Sequence, residues 1–377
     1  MKRILISGGL GFIGSNLVKK LLSKGYEVRI LDNFSPQIHG YISEQSELIK
    51  SIIGKCEIIR GDVRNRNDWL RALYQADSVI HFASETGTGQ SMYDIAHYTD
   101  VNILGTAILL DILKNTKNNI ERLILASSRA IYGEGKYNCD EHGIQYPESR
   151  SDKDMKNGFY NPTCMTCKKM MTAMPTDEKS LIAPTSVYGI TKQVQEELFL
   201  LFGQMTNIPT FALRYQNVYG PGQSLKNPYT GILSIFSTSL LHANPIDIYE
   251  DGLESRDFVY VDDVVDATLL ALEFKGSANI ALNVGSGIPI SVKQVAESLK
   301  NLYLSNSEIR ISGHFRVGDI RHNYASLEKI ESFLGYKPKI VFDEGLHRFV
   351  EWVRTQEISE DGYEESLVKL KNKGLYK

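Results

Sequence analysis

Residues 4–17 read ILISGGLGFIGSNL: an aliphatic run, a glycine-rich turn, then the start of a helical pattern. Gly8, Gly11 and Gly14 occupy the turn. One glycine permits the tight bend, one lets backbone approach a pyrophosphate, and one lets helix and strand pack closely. The helix start behind them offers unpaired N–H groups and a positive dipole end to phosphate. Phe12 and Ile13, between the last two glycines, join that set. Alone the triplet is a weak signal, because Gly9, Gly11 and Gly14 also satisfy GxGxxG and any glycine-rich turn looks alike. Its setting gives it weight. Asp32 closes the next strand pattern, with Asn33 beside it. A carboxylate there accepts hydrogen bonds from both hydroxyls of an adenosine ribose and repels a 2′-phosphate, which selects NAD over NADP. Asp62 and Val63, in RGDVRN after a third strand pattern, are placed to meet the adenine edge, although a strand-end turn aspartate reads the same way.

Outward from this turn, strand and helix patterns alternate. Short aliphatic or β-branched runs fall at 3–7, 27–31, 56–60, 78–82 and 122–126, separated by helical patterns at 13–23, 43–52, 67–74 and 94–114. This order predicts an α/β fold, a Rossmann-type doubly wound parallel sheet covered on both faces. A sixth strand is expected at FALRY (211–215). Helices at 230–243, 261–274, 291–303 and 342–355 suggest a smaller interleaved C-terminal lobe. The expected division is 1–132 for the dinucleotide-binding core, 133–184 for an insertion, and 185–377 for the rest of the core plus the lobe.

Composition narrows the class. The chain has 377 residues, an apolar share of 42% and a net charge of −3, which argues against wholesale nucleic-acid binding. Its apolar runs are too short to span a bilayer, and MKRILISGG leads into a turn and reads as a first strand, with no signal peptide. Four cysteines in so long a chain argue for a reducing compartment. A cytoplasmic protein without nucleic-acid or membrane partners is expected.

The chemistry is carried by SVYGITK (186–192), which places Tyr188 and Lys192 on one helix face. A phenol with a solution pKa near 10 is a poor base at neutral pH. A neighbouring ammonium and a cationic nicotinamide ring both favour its phenolate, which can then take a hydroxyl proton. By itself the pair reads as a surface helix. LILASSRAIYG overturns that, because Ser127 and Ser128 end a strand where it meets the cofactor crevice.

These motifs resemble the extended short-chain dehydrogenase/reductase family, in its nucleotide-sugar epimerase/dehydratase branch, over nearly the whole chain. The resemblance implies a catalytic set of Ser128, Tyr188 and Lys192 and a tightly held NAD bound by the residues above. Phe82, Ala83 and Ser84 of HFAS, and Asn102, complete that cofactor set. RYQNVYGPG (214–222) and SRDFVYVDD (255–263) resemble the nucleotide-sugar segments, which implies substrate contacts from Asn217, Arg256 and Arg316. ETGTGQS (85–91) is expected to line the sugar pocket through Thr86 and Ser91. Ser128 is followed by Arg129 and Ala130, where dehydratases of the branch carry an acidic pair. Arg129 is therefore counted with the substrate contacts, and a 4-epimerase is the expected activity. ASSRAIYGEG, ETGTGQSMYD, NPYTGI and GDIRH resemble members acting on dTDP-L-rhamnose. UDP-sugar 4-epimerases, 4-ketoreductases and an NAD-binding scaffold are the alternatives. The family also implies a homodimer and a place in polysaccharide biosynthesis.

The insertion is the outlier. CDEH supplies Cys139 and His142, and CMTC supplies Cys164 and Cys167. Soft thiolates and an imidazole in this pattern suit a closed tetrahedral zinc site, which would staple a polar excursion. A redox dithiol at Cys164 and Cys167, or a chance set of thiols, are the competing readings.

Overall fold

In a computed structural model, which describes residues 2–40, 46–225, 227, 231–357 and 363–377, seven strands form one parallel sheet. They are β1 (Arg3–Ser7), β2 (Glu27–Asp32), β3 (Glu57–Arg60), β4 (Ser78–His81), β5 (Arg122–Ser128), β6 (Thr210–Tyr215) and β7 (Asn279–Val284). Their order across the sheet is β7-β6-β5-β4-β1-β2-β3. Six are the strands that the sequence predicts. The pattern reading misses β7, an edge strand whose first residues are exposed and whose buried run is only Ala281–Val284.

The strands are apolar at nearly every position because both faces are covered. Ile4, Ile6, Ile30, Ile80 and Ile124 pack on one side with the helices Phe12–Ser23 and Val261–Glu273. Leu5, Leu31, Val79, Leu123 and Leu125 pack on the other with Arg66–Leu73, Gly105–Asn115 and Val187–Thr206. Strand order reverses between β1 and β4, so a crevice opens at the carboxyl ends of these strands and of β5.

The helix expected at 94–114 is broken. Ile95–Thr99 and Gly105–Asn115 are joined by a π-helical turn, Asp100–Leu104. Such a turn inserts a residue and re-aims a side chain. Here Asn102 points inward, accepting from Glu85 N–H and donating to Glu85 C=O and Thr191 Oγ1. The helix expected at 43–52 runs Glu47–Ile52 among the described residues, and the one at 230–243 runs Ile232–Leu241. Residues 228–230 of NPYTGI lie outside them.

A separate core of Tyr219, Phe236, Phe258, Val295, Leu299 and Phe349 holds the C-terminal lobe. The insertion leaves β5 through the 3₁₀ turn Arg129–Tyr132 and returns at Ser186, whose Oγ caps the helix Val187–Thr206 by accepting from Gly189 N–H. It holds a three-stranded antiparallel sheet of Gly143–Gln145, Tyr137–Cys139 and Thr172–Ala173. Its apolar cluster is only Tyr137, Cys139, Cys164 and Met171. No helix among the described residues is long and apolar enough to cross a membrane.

Candidate active site and metal centre

A cavity of about 430 Å³ runs along the carboxyl ends of the strands. At one end lie Gly8, Gly11, Phe12, Ile13, Gly14, Asp32, Asn33 and Val63. Phe82, Ala83, Ser84 and Thr86 form its middle, and Ser128, Arg129, Tyr188, Lys192 and Asn217 its far end. One continuous surface thus brings together residues from seven separate stretches of sequence.

The glycine end fits a dinucleotide. Gly8 sits at φ +71°, and a Cβ there would lie 2.7 Å from Ala83 N. A Cβ on Gly14 would lie 2.5 Å from Gly8 O, whereas one on Gly11 would meet only Gly8 O, at 3.4 Å, and otherwise project into open space. No side chain caps the helix at Gly11 and no acidic residue stands in its first turn, which leaves that end open to an anion. Asp32 accepts from Leu10 N–H (3.0 Å) and Phe34 N–H (2.9 Å), which fixes its carboxylate at the cavity wall.

At the far end Ser128 Oγ accepts from Ala130 N–H (3.1 Å), and Ser128 and Tyr188 line the same cavity. Ser127 points to the opposite face and donates to Glu196 Oε2 (2.6 Å). Glu196 also takes Arg214 Nε, and Arg214 Nη1 donates to Tyr132 Oη (2.7 Å). This buried network, absent from the sequence reading, fixes the helix Val187–Thr206 against β5 and β6. Burial raises the Tyr188 phenol above its usual range, opposed by the Ser128 hydroxyl and the Arg129 charge. Burial also lowers Lys192 to about 7, opposed by Glu196. The charge that favours the phenolate here is that of Arg129, and Lys192 is itself desolvated.

Five of the residues singled out from the sequence do not line this cavity. Asn102 braces the Glu85 loop, as described above. Ser91 is fully buried; its Oγ accepts from Tyr188 N–H (3.0 Å) and donates to Thr88 C=O (2.6 Å). It positions Tyr188. Asp62 is held by Arg64. Arg256 spends its guanidinium on the carbonyls of Ser255, Ile320 and Arg321, and Arg316 pairs with Asp319 (3.0 Å). Three cavity residues that the sequence reading passes over are His39, Gln216 and Gln223, each with a buried side-chain atom lacking a protein partner among the described residues. A polar residue at a strand's carboxyl end was the available signal for Gln216. His81 is buried between Ser7 Oγ (2.6 Å) and Thr106 Oγ1 (3.0 Å).

In the insertion, the ligand atoms of Cys139, His142, Cys164 and Cys167 all lie within 4.8 Å of one another. Cys139 Sγ is 3.6 Å from both His142 Nδ1 and Cys167 Sγ, and Cys164 Sγ is 3.6 Å from the same nitrogen. A tetrahedron with zinc–sulfur bonds has edges of about 3.8 Å. The cysteines are free thiols at these separations.

The fold and crevice define a dinucleotide-dependent enzyme of sugar nucleotides, and the chain belongs to the NAD dependent epimerase/dehydratase family, whose sequence profile matches residues 4–285. It is 35% identical to dTDP-L-rhamnose 4-epimerase of Burkholderia thailandensis, over 93% of this chain and 95% of that protein. It is 32% identical to a putative UDP-glucose 4-epimerase of Methanocaldococcus jannaschii, over 93% and 98%. Among solved structures, UDP-glucuronic acid 4-epimerase from Bacillus cereus, in complex with UDP-glucuronic acid and NAD, superposes with a TM-score of 0.76 at 26% identity, covering 93% of this chain and 99% of that one. UDP-glucose 4-epimerase of Thermotoga maritima, with UDP-glucose, gives 0.75 at 29%, covering 93% and 98%.

Proposed function

We propose that the chain is an NAD-dependent nucleotide-sugar 4-epimerase that acts on dTDP-L-rhamnose. The observation that carries the reading is the convergence of Ser128, Tyr188 and Lys192 on the cavity whose other end is the glycine cradle with Asp32. NAD, when bound, supplies reversible hydride exchange at the sugar C4. The chain's own part is the proton. Tyr188, as phenolate, takes the proton of the C4 hydroxyl and later returns it, while Ser128 keeps that oxygen facing the phenol. Elimination of water would call for an acid beside Ser128, and Arg129 and Ala130 stand there. Among the described residues, the carboxylates at the cavity wall are Asp32, at the adenosine end, and Glu85, which meets His97 at 3.2 Å. Oxidation and re-reduction at one carbon remain, with the ring turned over between them.

The sugar assignment is supported by the Burkholderia relative, and UDP-sugars are the alternative that the other relatives support. Exposed Ile190, Leu201 and Met205 on the catalytic helix, with Leu104 beside it, support a homodimer. The Cys/His geometry supports one structural zinc ion per chain in an insertion spanning 133–184. A cytoplasmic role in polysaccharide biosynthesis completes the reading.

Incubation with dTDP-, UDP- and GDP-sugars, with C4 stereochemistry read by NMR, tests the function. Inversion of dTDP-L-rhamnose is expected. Tyr188→Phe should slow turnover about 10²- to 10⁴-fold and leave NAD bound. Full activity in that variant would refute the mechanism.

A further inference from the structure

Gln216 is the residue that follows β6. Its backbone N–H donates to Val284 C=O (2.9 Å), and the preceding Tyr215 pairs in register with Ser128. The side chain is buried, at 4% exposure, and lines the catalytic cavity. Its Cγ packs where a Cβ on residue 285 would stand, 2.8 Å away, so Gly285 makes room for it. Neither Oε1 nor Nε2 has a hydrogen-bond partner among the described residues. Folded proteins leave few buried polar atoms unpaired, and an amide with both ends unpaired at a cavity wall points to a ligand.

Topology indicates which part of the ligand. Strand order places β5, with Ser128, between the glycine cradle of β1, β2 and β4 and Gln216 at the end of β6. Gln216 thus lies on the far side of the catalytic serine from the cofactor cradle. Its successor, Asn217, begins the strand Asn217–Tyr219, which pairs with Phe258–Tyr260 of the substrate lobe. An amide offers a donor and an acceptor side by side, which matches neighbouring hydroxyls on a sugar ring, each able to give and take a hydrogen bond.

We propose that Gln216 is a specificity-determining residue whose amide hydrogen-bonds ring hydroxyls of the nucleotide sugar beside the reacting carbon. The inference rests on the epimerase reading and deepens it. A site built to bond a hydroxyl discriminates against the analogue that lacks it, because its polar atoms are then left unpaired.

The test crosses a protein change with a substrate change, using the holoenzyme. Wild type, Gln216→Met and Gln216→Glu are assayed with the parent nucleotide sugar and with analogues lacking one ring hydroxyl each. Wild type should prefer the parent over at least one analogue by about tenfold or more in kcat/KM. Gln216→Met should lose that preference while keeping its NAD content and melting temperature. Gln216→Glu, of the same shape but without a donor, should also lose discrimination, and it keeps the test open if the methionine variant does not fold. If the two losses multiply independently, Gln216 does not touch the sugar and the inference is overturned. Loss of NAD with an unchanged sugar preference would overturn it too, by placing the amide on the cofactor. Wild type that inverts no nucleotide sugar would instead refute the epimerase reading.

Discussion

Tyr188 and Lys192 share a helix face and a cavity, and burial acts on each against its charged form. The phenol is raised and the ammonium lowered to about 7, so near neutral pH neither ion is favoured. Because the proposed reaction uses phenolate, activity should rise with pH through the phenol's titration. Arg129 favours phenolate by its charge, so Arg129→Met should move that rise to higher pH. Below the rise, each unit of displacement lowers activity about tenfold. A pH–rate profile of the two proteins checks this, and coincident profiles would remove Arg129 from the mechanism. The glycine cradle permits a second test at the same scale. Gly14→Ala puts a methyl 2.5 Å from Gly8 O and should lower the melting temperature as well as NAD content. Gly11→Ala meets little protein and should fold normally, yet lose NAD because the methyl enters the cavity. Equal melting temperatures for the two variants would contradict this distinction.

Elements were legible in proportion to how local their causes are. Alternating apolar runs and the glycine turn marked β1 to β6 and the helices between them, since burial on both faces shows directly in composition. The π-helical turn was not legible, because Asn102 is drawn inward by Glu85 and Thr191, which are distant in sequence. For the same reason Ser91 read as a pocket wall: only the fold brings its hydroxyl under Tyr188 N–H. The glycine turn and Asp32 were readable, whereas the turn of Asp62 to Arg64 was not, and Glu196, Arg214 and Gln216 depend on which strands become neighbours. A further pairing invisible in sequence joins the short helices Pro36–His39 and Thr88–Ser91. Gln37 Nε2 donates to Gln90 Oε1 (2.8 Å) and Gln90 Nε2 donates back (3.3 Å), beside the cavity that Gln37 lines. Two reciprocal bonds between these helices should slow cofactor escape. Gln37→Ala should leave the catalytic groups in place and speed NAD dissociation several-fold, measured by exchange against labelled NAD. An unchanged exchange rate would show that the amide pair does not hold the cofactor.

At the scale of the whole molecule, the insertion and the C-terminal lobe are joined by buried charge. Arg150, between the two ligand pairs, donates to Glu134 (3.0 Å), Glu250 (2.7 Å) and the carbonyl of Asp319 (2.8 Å). Arg321 reaches Asn161 Oδ1 (2.8 Å), Glu250 (3.0 Å) and Asp251 (2.7 Å). The segment from Cys139 to Cys167 therefore contributes both ligands of the proposed metal and partners of the lobe. Its own apolar cluster is too small to order it, so the proposed zinc and this network share that task. The two can be separated. Cys164→Ser should lose zinc and lower the melting temperature together. Arg150→Met leaves Glu134 and Glu250 buried without that guanidinium and should cost about 3–5 kcal/mol of stability while zinc stays bound. Metal analysis beside thermal unfolding reads both outcomes. A Cys164→Ser protein as stable as wild type under strong chelators would show that the cluster staples nothing, and the burden of ordering the insertion would then fall on Arg150, Asn161 and the insertion's other bonds to the rest of the chain, such as those of Thr176 with Tyr324 and Ser326.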